Sequence, residues 1–154
     1  YSVSYRVTKR GQYTISLGVV QDDKSAPTLR RVASEFDCFV SAAGPCASTT
    51  TADGPGLKQS NGGVRSAFTV RLCDALGNGV ANGGGDLTAV LCLSGQSLQQ
   101  ETEIKTRVAD KRDGTYLVTY VAFKPGRYRA FIKVGGHNIQ GSPYLVHVES
   151  GNRA

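Results

Sequence analysis

The 154 residues carry 18 Lys and Arg against 12 Asp and Glu, a net charge of +6, with 19 Gly, no Met and no Trp. The basic excess is spread along the chain, and its densest runs, Lys9-Arg10, Arg30-Arg31 and Arg127 with Arg129 and Lys133, are too short for a polybasic nucleic-acid arm. No stretch approaches the roughly 18 apolar residues that cross a bilayer as a helix, so neither nucleic-acid binding nor membrane insertion is expected of this segment.

The length suits one well-cored domain and about half of another. Abundant Gly, with Tyr as the main aromatic residue, favours short strands punctuated by turns. The chain opens at Tyr1 without an initiator Met, so an excerpt of a longer polypeptide is expected, and any targeting signal could lie outside it. Cys38, Cys46, Cys73 and Cys92 contain no C-x-x-C pair, and His137 and His147 lie downstream without ligand spacing. Neither zinc nor a cofactor is therefore implied. Free thiols in a reducing compartment are the default, with Cys38 and Cys46 the pair close enough in sequence to be oxidised.

Shifting the chain by 115 positions lays Tyr1, Val3 and Tyr5 over Tyr116, Val118 and Tyr120, then Lys9, Gly11, Tyr13 and Val19 over Lys124, Gly126, Tyr128 and Val134. The match resumes at an offset of 108, where Ser34, Phe36 and Val40 meet Ser142, Tyr144 and Val148. One unit thus occurs twice. The first copy, 1–42, reads as the C-terminal three strands of its unit, with a polar insertion that enlarges the loop at 21–33. The second, 43–149, reads as complete, and 150–154 as a tail.

In the complete unit, 47–57 reads as an irregular first edge strand. Phe68, Val70 and Leu72 then alternate with Thr69, Arg71 and Cys73, before the turn Asp74-Ala-Leu-Gly-Asn-Gly. Leu87, Ala89, Leu91 and Leu93 line one face of the third strand, with Thr88, Val90 and Cys92 on the other. Ile104, Thr106 and Val108 share a face of a more polar fourth strand. Arg112-Asp113-Gly114 and Lys124-Pro125-Gly126 bound the strand of Tyr116, Val118 and Tyr120. Tyr128, Ala130, Ile132 and Val134 form the next inward row, and Tyr144, Val146 and Val148 close the unit. Seven strands with turns every ten or so residues and no helical period predict an all-β, immunoglobulin-like, seven-stranded antiparallel β-sandwich.

The phrases Ala52-Asp-Gly-Pro-Gly-Leu57, Ala67-Phe-Thr-Val70, Asp113-Gly-Thr-Tyr116, Pro125-Gly-Arg-Tyr128 and Gly136-His-Asn-Ile-Gln-Gly-Ser-Pro-Tyr144 together resemble the filamin-type immunoglobulin repeat. In the first copy Glu35 stands where the family has the Pro of Gly-Ser-Pro. The resemblance implies a structural or scaffolding repeat that spaces neighbouring repeats of its own chain and binds protein partners, often extended peptide tails. It also implies a cytoplasmic, cytoskeleton-associated setting with an indirect link to actin, since the family's actin-binding domain is a separate helical one. An extracellular adhesion or recognition module of the same fold is the alternative.

Similar repeats bind a peptide by β-strand addition along the third strand, beside the fourth. Mapped here, Val90 and Cys92 on one side and Ile104, Thr106 and Val108 on the other would face the groove. Lys105 and Arg107 would flank it and favour an acidic or phosphorylated partner. The competing reading is a self-protecting sheet edge. No catalytic constellation is found: Gly77-x-Gly79-x-x-x-Gly83 lacks the spacing of a dinucleotide fingerprint, and no nucleophile elbow accompanies the histidines.

Overall fold

The computed structural model describes residues 2–21, 28–31, 35–94 and 103–151, the backbone only for 19–21 and 28–31. Tyr1, the tip of the enlarged loop and most of the 150–154 tail lie outside the described residues. The chain divides into two compact units, Tyr1–Ser41 and Ala42–Ala154.

In the first unit, β1 (Gly11–Ile15) is followed by β2 (Gly18–Gln21), β3 (Thr28–Arg31) and β4 (Phe36–Val40). β1 pairs antiparallel with β4, Gly11 opposite Val40 and Tyr13 opposite Cys38, and β2 pairs with β3. The loop expected to be enlarged is thus flanked by a short hairpin. The expected first strand, around Val3 and Tyr5, joins no sheet. Its counterpart in the second copy gains its ladder from strands on both sides, and the described residues of the first unit offer neither neighbour.

The second unit contains β5 (Thr51–Asp53), β6 (Gln59–Asn61), β7 (Arg65–Arg71), β8 (Leu87–Leu93), β9 (Glu103–Lys105) and β10 (Arg107–Asp110). It continues through β11 (Thr115–Val121), β12 (Gly126–Val134), β13 (His137–Asn138) and β14 (Tyr144–Glu149). One sheet runs β10-β11-β7-β5 and the other β6-β14-β12-β8-β9, with β13 beside β12. Their inner faces meet in one core that includes Phe68, Val70, Leu91, Val118, Ile132 and Val146, each 2% exposed or less. Removing each such side chain from water stabilises the fold by about 1.5–3 kcal/mol. The sandwich and its inward rows are those expected from the alternation.

Two of the seven expected strands are interrupted. The first, expected over 47–57, is bounded by 3-10 turns at Ala47–Thr49 and Pro55–Leu57, so that within it only β5 pairs, antiparallel with β7. Past the break at Pro55–Leu57, β6, outside the expected strand, pairs parallel with β14. The sandwich is accordingly not wholly antiparallel. The break serves the core: Tyr120, 3% exposed, donates its hydroxyl to the Gly56 carbonyl at 2.5 Å, satisfying a buried donor that would otherwise carry a desolvation cost. A Cβ on Gly56 would stand 2.6 Å from the Ala67 carbonyl oxygen, so this close approach requires glycine. The fourth strand is divided at Thr106, where the chain leaves β8 for β11.

The duplication seen in sequence is also geometric. Gly126 stands opposite Val148 and Tyr128 opposite Val146, the register of Gly11 with Val40 and Tyr13 with Cys38. Tyr13 donates to the Lys9 carbonyl at 2.9 Å and Tyr128 to the Lys124 carbonyl at 2.8 Å.

Candidate protein-interaction surface

The region singled out in sequence lies where β8 meets β9 and β10. Leu87, Ala89 and Leu91 point into the core, which turns Val90 and Cys92 to the opposite, outer face, where both are half-buried. β9 pairs antiparallel with β8, Val90 opposite Lys105, Leu91 opposite Ile104 and Cys92 opposite Glu103. Just beyond, Thr106 donates its hydroxyl to the Ala89 carbonyl at 2.6 Å. β10 then pairs with β11, Val108 opposite Val118.

This arrangement separates the seven candidate residues into three groups. Val90 and Cys92 share the outer sheet face. Ile104 and Val108 are partly buried and pack against the core, because the face they share points between the sheets; Thr106 lies on that face with its hydroxyl spent on Ala89. Lys105 and Arg107 are exposed on the opposite side of the same segment. The chain's own β9 therefore occupies the β8 edge along Val90–Cys92, and Thr106 caps it at Ala89. An incoming strand meets a closed edge there.

The neighbouring loop is held by polar contacts. Asp110 accepts from Gly84 N–H at 2.8 Å and Arg112 N–H at 2.7 Å; the bonds from Arg112 and then Gly84 hold its carboxyl below the usual range against the opposing effect of burial. Gly85 N–H donates to the Tyr116 hydroxyl at 2.8 Å. The chain at 84–85 is thereby fastened beside the start of β8.

Sequence reading missed the rest of the outer face. Register places Phe131 opposite Val90, Arg129 opposite Cys92 and Lys133 opposite Thr88. On the other side Arg129 faces Leu145, which is 69% exposed. A shallow hollow is lined by Thr88, Val90, Cys92, Glu103, Phe131 and Lys133. The signal was present in the β12 alternation, since Arg127, Arg129, Phe131 and Lys133 must share the face opposite Tyr128, Ala130 and Ile132. Burial, and then the charge of Glu103, push the Cys92 thiol above its ordinary pKa, leaving it a neutral lining group at physiological pH.

No group of three or more His, Cys, Asp or Glu side chains that could hold a metal occurs among the described residues. No helix among them is long and apolar enough to cross a membrane.

Comparison with known proteins gives this geometry a context. Mouse filamin-C is 32% identical to the chain over 149 residues, covering 96% of the chain and 5% of filamin-C. The ubiquitin ligase TRIM71 of Xenopus tropicalis is 35% identical over 108 residues, 70% of the chain and 13% of the ligase. The chain thus spans a small fraction of either relative. The crystal structure of the Lin-41 filamin domain superposes with a TM-score of 0.58 at 23% identity, over 69% of this chain and 97% of that domain. The Escherichia coli adhesin FdeC reaches 0.58 at 18% identity, over 92% of this chain and 42% of the adhesin, a likeness of fold. The family model of the Filamin/ABP280 repeat matches residues 44–145, most of the chain's length, and the chain belongs to that family.

Proposed function

We propose that the chain is a spacer and scaffold segment of a longer filamin-like protein, placed in the cytoplasm beside the cytoskeleton, and that its complete repeat captures extended peptide segments of partner proteins on β8. Repeats of this family are structural and protein-interaction units rather than enzymes, which supports the general role. Residues 1–42 are read as the C-terminal part of the preceding repeat: their β1–β4 register and Tyr13 bond duplicate those of β12–β14 and Tyr128, and the filamin-C match extends through them.

The observation that carries peptide capture is the weakness of the cover on the β8 edge. Three residues of β9 and one side-chain bond from Thr106 close it, whereas the opposite edge of β8 is bonded to β12 over seven register pairs. A partner strand that replaces β9 gains the same backbone bonds plus its own side-chain contacts. Exposed Lys105 and Arg107 beside it favour an acidic or phosphorylated partner.

A synthetic peptide with the sequence of residues 103–110 is the direct probe, because it competes with β9 for its own place. Titrated into the isotope-labelled chain, it is expected to shift the backbone amides of 87–92 and 103–106 together. Absence of any shift at millimolar peptide would count against strand exchange. Titration of the four thiols in freshly lysed cells addresses location: four reduced cysteines agree with a cytoplasmic protein, and a Cys38–Cys46 disulfide with the extracellular alternative.

A further inference from the structure

The outer face of the β6-β14-β12-β8-β9 sheet extends beyond the β8 edge where strand exchange takes place, across β12 to β14. Native strands facing water carry polar side chains at outward positions, yet this face holds Val90, Cys92 and Phe131 around a hollow, with exposed Leu145 beside them across Arg129. The apolar groups are ringed by charge of one dominant sign. Arg129 stands between Leu145 and Cys92, Lys133 beside Thr88, Lys105 beside Val90 and Arg127 next along β12, with the carboxylate of Glu103 in the lining of the hollow.

We propose that this face docks an acidic segment of a partner protein, seating one apolar side chain in the hollow against Phe131 while its carboxylates meet Arg129, Lys133 and Lys105. The apolar contact supplies most of the affinity, because exposed ion pairs contribute about 0–1 kcal/mol each. The cations select and orient the partner. Four cations around an apolar floor do not form the tract of phosphate-neutralising groups that a nucleic acid requires, so a protein segment is the better fit. Docking here leaves β9 in place on β8 and is thereby separate from strand exchange.

The test is an NMR titration of the whole labelled chain with a synthetic hexapeptide, Asp-Glu-Leu-Phe-Asp-Glu, and with Lys-Lys-Leu-Phe-Lys-Lys as its charge-reversed counterpart. The acidic peptide is expected to shift amides of Thr88, Val90, Arg129, Phe131 and Lys133, and to weaken as salt is raised. Lys133→Glu and Phe131→Ser are each expected to weaken it roughly tenfold or more, and Arg65→Ser, exposed on β7 of the other sheet, to leave it unchanged. Lys133→Glu keeps the test decisive if Phe131→Ser fails to fold. Equal binding of the basic peptide, shifts confined to the backbone of 87–92 and β9, self-association of the free chain through these residues, or preferential displacement by an oligonucleotide would each overturn the proposal.

Discussion

Thr106 donates its hydroxyl to the carbonyl of Ala89 at 2.6 Å, across the point where the fourth strand of the sandwich crosses from one sheet to the other. A single side chain thereby completes the closure that β9 begins along the β8 edge. Thr106→Val keeps the shape and removes the donor, at about 1 kcal/mol for a net hydrogen bond. Amide exchange at Glu103–Lys105 is expected to quicken, with little change at Leu117–Thr119 in the centre of the other sheet. Unchanged protection at β9 would mean that the bond does not hold the strand.

Asp74 organises the turn between β7 and β8 from a position 2% exposed. Its carboxylate accepts N–H bonds from Asn78 at 2.8 Å, Leu76 at 3.0 Å and Ala43 at 3.1 Å, besides the Asn78 side-chain amide. Burial pushes the carboxyl up, but the Asn78 bonds, then those of Ala43 and Leu76, outweigh it and leave the pKa lowered. A folded pKa below the unfolded one gives stability that is present above the unfolded value, near 3.9, and lost as pH falls through the folded value. Asp74→Asn should therefore be less stable than wild type in urea at pH 7, with the difference shrinking below about pH 4. A difference independent of pH would show that the charge is not what matters.

Gly114 adopts φ +84°, and a Cβ there would run into the Val80 carbonyl. Its own carbonyl accepts from Leu72 N–H at 2.9 Å, so the turn before β11 cannot shift without disturbing the end of β7. Gly114→Ala is expected to lower unfolding free energy by more than about 2 kcal/mol, combining left-handed strain with overpacking. A near-neutral result in chemical denaturation would mean that the turn relaxes freely.

Thiol reactivity should rank the cysteines. The Ser48 hydroxyl, 3.2 Å from Cys46 Sγ, and then the Ser48 N–H and the Thr49 side chain favour the Cys46 thiolate and lower its pKa, whereas that of Cys92 is raised. At neutral pH Cys46 is expected to react with iodoacetamide ahead of Cys92, with Cys73, 7% exposed, among the slow sites. Mass-spectrometric mapping of the first modified residue checks the order; Cys92 reacting first would contradict it.

The sandwich was legible because its long strands alternate strictly: every inward residue of Tyr116–Tyr120 and Tyr128–Val134 is buried. The divided strands were not. Periodicity at Ile104, Thr106 and Val108 reports a shared face but carries no mark of a change of pairing partner at Thr106. The same limit shaped the groove assignment, since alternation places Ile104 and Val108 on one face without saying whether that face looks into a groove or, as here, between the sheets. Phe131 was legible and overlooked, an apolar side chain at an outward position among Arg127, Arg129 and Lys133.

The two copies of the repeat differ most in what covers them. Val118 is fully buried and Tyr120 is 3% exposed, while Val3 and Tyr5, which occupy the same places in the first copy, are 70% and 62% exposed. Phe36, which shares its side of β4 with Cys38 and Val40, is also exposed. Exposed apolar side chains of this kind bind hydrophobic dyes and favour association, while the core of the complete unit is drawn from its own residues. Removing residues 1–41 is expected to leave the urea midpoint of the remaining repeat unchanged and to reduce dye fluorescence sharply. Extending the chain upstream with the strands of the preceding repeat is expected to quench the dye equally well, by covering the face rather than removing it. A fall in the midpoint on truncation would show that the first unit stabilises the second, and dye binding that persists in the extended chain would refute the reading of residues 1–42 as part of a sandwich completed from upstream.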